Sequence, residues 1–204
     1  MMSHGQINVP TLSLNSQPLK FAHLSSKNGL PQNSVLAIFQ DQMGFIWMGT
    51  DDGLARYDGY QFQVYRHQPN QNNSLNNNVI RAIISDPLNN LWIGTEGGGI
   101  SIMDPKKDQF FTLDELDPKF NVLSSTKISK VLLDRDNQIW VATNGKGLFK
   151  IKFNFEKLTD VDSYPGQFEL QRIDERNAVL TDNKIWSLYE DKKGDIWIGT
   201  LDGG

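Results

Sequence analysis

DQMGFIWMGTDDGL at residues 41–54, DPLNNLWIGTEGGGI at 86–100, DRDNQIWVATNGKGL at 134–148 and DKKGDIWIGTLDGG at 191–204 are four copies of one sentence. In each copy the Trp stands six residues after the Asp (Trp47, Trp92, Trp140, Trp197) and the Thr nine after it (Thr50, Thr95, Thr143, Thr200). The register continues upstream, with a Leu eleven residues before each Asp (Leu30, Leu75, Leu123, Leu180) and an Asn or Thr eight before it (Asn33, Asn78, Thr126, Asn183). Agreement at so many fixed offsets marks a repeat protein. Its period, 45 residues from Trp47 to Trp92, 48 to Trp140 and 57 to Trp197, brackets a four-stranded propeller blade and exceeds leucine-rich or ankyrin units.

Local chemistry excludes helical repeats of similar length. The runs Val35 to Phe39, Val79 to Ile84, Ile128 to Leu133 and Ile185 to Tyr189 are short, β-branched or aromatic, and bounded by turn formers, as are the Trp-bearing runs Ile46 to Thr50, Leu91 to Thr95, Ile139 to Thr143 and Ile196 to Thr200. Between the two lies a type I turn with Asp first, Pro87 second in copy two, and Gly44, Asn89, Asn137 or Gly194 fourth, where a left-handed residue closes the hairpin. A third strand follows the Gly-rich loop and a fourth follows Asp58-Gly59 or Asp104-Pro105, so each unit is a meander of four antiparallel strands.

The first two strands lack polar alternation, so both faces are buried, as when blades stack round an axis. The repeated Trp would wedge between blades, and the small residue two positions later (Gly49, Gly94, Ala142, Gly199) would admit close approach. The predicted fold is therefore all-β, a partial β-propeller of about three and a half four-stranded antiparallel blades. Its expected layout is a disordered leader or cloning scar at 1–17, a lone outer strand at 18–25, blades at 30–67, 75–114 and 123–174, and an incomplete fourth blade at 180–204. That count does not close a ring, so the chain reads as a piece of a longer propeller with open edges that favour self-association. The third unit's extra length falls between Asn154 and Asn177, around Tyr164-Pro165-Gly166, and reads as a long loop.

A net charge of −4 without Lys/Arg clusters argues against nucleic-acid partners. No apolar run is long enough to span a bilayer. The absence of cysteine excludes disulfides and thiolate zinc sites. His4, His23 and His67 show no ligand spacing, Asp51-Asp52 and Asp134-x-Asp136 begin no EF-hand loop, and the glycines at 97–99 join strands rather than opening a helix. Neither a metal nor a cofactor is expected, and no carboxylate pair or activated nucleophile points to an enzyme.

One slot stands out. The third residue after the repeated Asn or Thr is Leu36, Arg81, Ser129 or Trp186, amid neighbours that hardly vary. A position that varies so freely is not fixed by packing, and the inner strand borders the central channel, so Arg81, Ser129 and Trp186 are candidate ligand contacts beside solvated side chains as the alternative. Loops on a rigid scaffold add Asn33, Asn78 and Asn183.

The stretch NSVLAIFQDQMGFIWMGTDDGLARYDGYQF at residues 33–62, with W-[IV]-G-T followed by G-[LI], resembles the two-component regulator propeller repeat of bacterial hybrid histidine kinases and related signalling proteins. The resemblance covers 18–204, with Met48, Ala142 and an extra loop residue in copies two and three as modest departures. It implies a periplasmic sensor region that binds a small molecule or oligosaccharide, non-catalytic in itself. The kinase or cyclase output would lie beyond a β-sandwich and a transmembrane helix. The alternative is a scaffold propeller that holds protein partners.

Overall fold

The computed structural model describes residues 21–177 and 180–203. Its first sheet is β1 (Val35–Gln40), β2 (Ile46–Thr50), β3 (Gly53–Tyr57) and β4 (Phe62–Tyr65), and its second is β5 (Ile80–Ser85), β6 (Leu91–Thr95), β7 (Ile100–Asp104) and β8 (Gln109–Thr112). The third is β9 (Ile128–Leu133), β10 (Gln138–Thr143), β11 (Leu148–Phe153) and β12 (Phe168–Ile173), followed by the hairpin β13 (Ile185–Glu190) and β14 (Ile196–Thr200). Every neighbouring pair is antiparallel and sequential. The first strands β1, β5, β9 and β13 contact one another in turn, which makes them the inner strands of successive blades in an all-β propeller arrangement.

The repeated sentence has a physical reading at each conserved offset. Asp41 accepts the Gly44 N–H at 3.1 Å, and Gly44 lies at φ +89°; Asn89 (φ +69°), Asn137 (φ +59°) and Gly194 (φ +95°) hold the same left-handed corner. The Asp side chain does more than shape the turn. Its Oδ1 accepts two backbone N–H groups, Met43 and Phe45 in copy one, while Oδ2 accepts the indole N–H of the Trp six residues on, at 2.7, 3.0, 2.7 and 3.1 Å in copies one to four. The Thr three residues after the Trp donates to the backbone of the following loop, as Thr95 Oγ1 does to Gly99 at 2.9 Å, and accepts an N–H from it. The upstream Asn or Thr laces blades together, because the carbonyls of Asn78, Thr126 and Asn183 accept the N–H of Gly53, Gly99 and Gly147 from the preceding blade.

Trp47, Trp92 and Trp140 pack toward the blade that follows. Trp47 is buried with Leu75, Ile80, Ile83, Leu91 and Phe110 of blade two, and Trp92 with Val131, Ile139, Ile151 and Phe153 of blade three. Close approach explains the small residue beside them: a Cβ on Gly49 or Gly94 would sit 2.6 Å from Ile80 Cγ2 or Ile128 Cγ2. Trp140 meets only the β13–β14 hairpin and is half-buried, and Trp197, with no described sheet beyond it, is 64% exposed.

The outer strand expected at 18–25 is not formed over residues 21–25, where Phe21 is exposed, because no described strand edge lies there to complete a ladder; residues 18–20 and the expected leader at 1–17 lie outside the described residues. Two pieces escaped the sequence reading. A single-turn helix α1 (Leu113–Leu116), capped by Thr112 and Glu115, and the 3-10 turn Pro118–Val122 bury Leu113 and Phe120 between blades two and three. The long loop after β11 folds back as two 3-10 turns and buries Leu158, Val161 and Tyr164 in the same core.

Candidate functional site

All four residues of the variable slot meet. Leu36, Arg81, Ser129 and Trp186, one from each inner strand, line a single cavity of about 250 Å³ together with Glu96, Lys127, Ile128 and Asn144. Strand pairing shows why the slot varies. In β1 the partners run Val35 to Thr50 and then Ala37 to Gly49, so Leu36 is an extra residue opposite nothing, a β-bulge. Arg81, Ser129 and Trp186 occupy the same extra position in β5, β9 and β13. A bulge residue is freed from the ladder and its side chain is re-aimed out of the pleat. Here the bulge directs four side chains toward one place while the flanking residues keep the blade interfaces.

The polar part of the cavity is a three-member ion network. Arg81 Nε lies 2.8 Å from one Glu96 oxygen and Lys127 Nζ 3.2 Å from the other. Burial works to raise the Glu96 carboxyl, but the Lys127 hydrogen bond and the Arg81 charge outweigh it and hold the group below its ordinary 4.5. Two cations against one carboxylate leave the lining net positive by one. At the apolar end Trp186 is 62% exposed, an aromatic face presented to solvent beside Leu36. Ser129 is already committed to the framework, since its hydroxyl donates to the Ile185 carbonyl of the next blade.

The three asparagines stand elsewhere. Asn33 Oδ1 accepts the Ser26 N–H at 2.9 Å, Asn78 Oδ1 accepts the His67 N–H at 2.7 Å, and Asn183 exchanges hydrogen bonds with Glu175. Each ties an incoming connection to the start of an inner strand, and none lines the cavity. Glu96, Lys127 and Asn144 were not read from the sequence. Glu96 and Asn144 occupy the position after the repeated Thr, which holds Asp51, Glu96, Asn144 and Leu201 in the four copies, and Lys127 precedes an inner strand and bridges Glu96. Variation at that second slot was the available signal. Among the described residues no group of three or more acidic or histidine side chains is placed to hold a metal, and no helix is long and apolar enough to cross a membrane.

Against this geometry, the two-component regulator propeller family matches at residues 29–52, 74–97, 122–145 and 179–202. A protein named Histidine kinase P4, from Formosa agariphila, is 41% identical over 63 residues, 30% of this chain and 5% of that protein. A crystal structure described as the extracellular domain of a hybrid two-component system of B. thetaiotaomicron superposes with TM-score 0.62 at 25% identity, over 87% of this chain and 22% of that one. A second such domain from B. thetaiotaomicron shares the fold with TM-score 0.61 at 22% identity, over 89% of this chain and 29% of its own length. The chain thus spans less than a third of each of these relatives.

Proposed function

We propose that this chain, which carries four two-component regulator propeller repeats, is the ligand-sensing propeller region of an extracytoplasmic signal-transduction protein and performs no catalysis itself. The observation that carries the reading is the convergence of the four bulge residues on one cavity. Framework residues recur from copy to copy because they serve the same contact in each blade; Leu36, Arg81, Ser129 and Trp186 differ because the cavity is asymmetric. A small polar molecule or oligosaccharide suits the lining: an exposed Trp face for an apolar ring face, flanked by the Arg81–Glu96–Lys127 network and the Asn144 amide for hydroxyls or a carboxylate. Placement in the periplasm and a histidine kinase as output rest on the relatives, whose described domains are extracellular.

Calorimetry against a panel of oligosaccharides and polar metabolites tests the reading. A hit that weakens at least tenfold with Trp186→Ala and with Arg81→Ala supports it, whereas hits insensitive to both refute this cavity as the sensor site. A scaffold role has one observation in its favour, the exposed Tyr189, Trp197 and Leu201 on the β13–β14 hairpin. Under that reading the panel gives no hits and the hairpin face captures protein.

A further inference from the structure

At the opposite edge of the sheets, where the turns joining first to second and third to fourth strands lie, blades one and two enclose a second cavity of about 290 Å³. Met43, Phe45 and Pro105 form its apolar wall. Arg56 and Lys106 bring two cations to it, and among the described residues neither has an acidic partner within ion-pair reach. The Arg56 guanidinium carbon lies 4.8 Å from the Phe45 ring centroid and 5.8 Å from that of Trp47, a cation held over the aromatic floor. Asp41 also lines the cavity, but its oxygens are occupied by Met43, Phe45 and Trp47 N–H groups. Asn89 completes the lining.

Apart from Asp41 and Asn89, the lining does not belong to the repeat framework. The strand position of Arg56, opposite the Trp, is Ile102 in blade two and Lys150 in blade three; that of Met43 is Leu88, Asp136 and Lys193 in the other copies. Arg56 also donates to the Gln63 side-chain oxygen, but cations without a carboxylate partner over an apolar wall attract an anion with an apolar body. The volume lies near the lower end of small-molecule sites, about 300 Å³, so the occupant is metabolite-sized.

We propose that the groove between blades one and two is a second ligand site, separate from the inner-strand cavity, that takes a small aromatic carboxylic acid. Its carboxylate sits between Arg56 and Lys106 and its ring against Met43, Phe45 and Pro105. This assignment does not rest on the sensor reading. The test uses 4-hydroxyphenylacetate as probe, titrated into the full chain by calorimetry and followed by tryptophan fluorescence, since Arg56 lies over Trp47. Saturable binding is expected, weakened about tenfold by Arg56→Met and by Lys106→Met, the loss of one charge-assisted hydrogen bond each. The corresponding neutral alcohol, with the same ring and no carboxylate, binds at least tenfold more weakly. Lys106 is on an exposed turn, so its variant stays informative if Arg56→Met fails to fold. No saturable binding at millimolar probe, equal affinity for the alcohol, or sensitivity to Arg81→Ala rather than Lys106→Met each overturns the proposal.

Discussion

Replacing Asp86 by Ala tests whether the repeated Asp is a turn former or the anchor of an inter-blade network. Asp86 is buried, and its Oδ1 accepts Leu88 and Asn90 N–H groups at 2.9 and 3.0 Å. Its Oδ2 accepts the Trp92 indole at 3.0 Å and the hydroxyl of Tyr164, a residue delivered by the long loop of blade three. Burial and the adjacent Asp86 charge push the Tyr164 hydroxyl far above its ordinary 10, so it remains a donor across the accessible pH range. Truncation leaves two buried donors unsatisfied at about 1–3 kcal/mol each, which with the lost turn bonds places the expected cost at about 3–5 kcal/mol. Tyr164→Phe alone removes one donor and the acceptor of the Asn90 amide N–H at 2.9 Å, and costs about 1–2 kcal/mol; in the Asp86→Ala background it costs less, because it also deletes an orphaned donor, so the pair couples by about 1 kcal/mol. Urea denaturation followed by tryptophan fluorescence, with an unchanged m-value, reads all four corners of the cycle. Asp41→Ala is the control, because Asp41 accepts the same turn and indole N–H groups with no tyrosine among its donors. Equal losses for Asp41→Ala and Asp86→Ala, together with zero coupling to Tyr164, would show that the network adds nothing beyond the turn.

Trp47→Ala, at a side chain with no exposure, should destabilise by about 3–5 kcal/mol, and Trp197→Ala, mostly exposed, by less than about 1; comparable losses in urea melts would contradict the packing order. Gly147→Ala places a Cβ 2.5 Å from the Ile173 carbonyl at φ +82°, so a loss of about 1–3 kcal/mol is expected, and a neutral melt would mean the blade rim yields. The Glu96 carboxyl has a folded pKa below 4.5; its contribution to stability is present above that value and fades as pH falls through the lower folded pKa. In NMR titrations its midpoint should therefore lie under 4.5 and rise with Lys127→Met, and an unchanged midpoint would remove Lys127 from the network. Ile38 on the first blade and Trp197 on the last are exposed where Ile83 and Trp47 are buried against each other, so light scattering should show concentration-dependent association that Trp197→Glu suppresses; a monomer at all concentrations refutes head-to-tail contact.

The fold was legible because its signals are local. The Asp-to-Trp spacing, the left-handed fourth turn residue and the Thr cap are each completed within about ten residues by hydrogen bonds that every copy must make again, so they recur in the sequence at fixed offsets. Even the variable slot was visible, although its cause, a bulge, was not: a bulge is a property of pairing register, and register is decided between strands. The helical turn after β8 carried a Thr112-to-Glu115 capping signature but is too short to show periodicity. Tertiary structure alone brought Glu96 and Lys127 to Arg81, Arg56 to the wall shared with Pro105, and Tyr164 to Asp86 across 78 residues of chain. Those contacts form once rigid sheets stack at a given separation and a loop takes one path among many, whereas a turn bond depends only on the residues that make the turn.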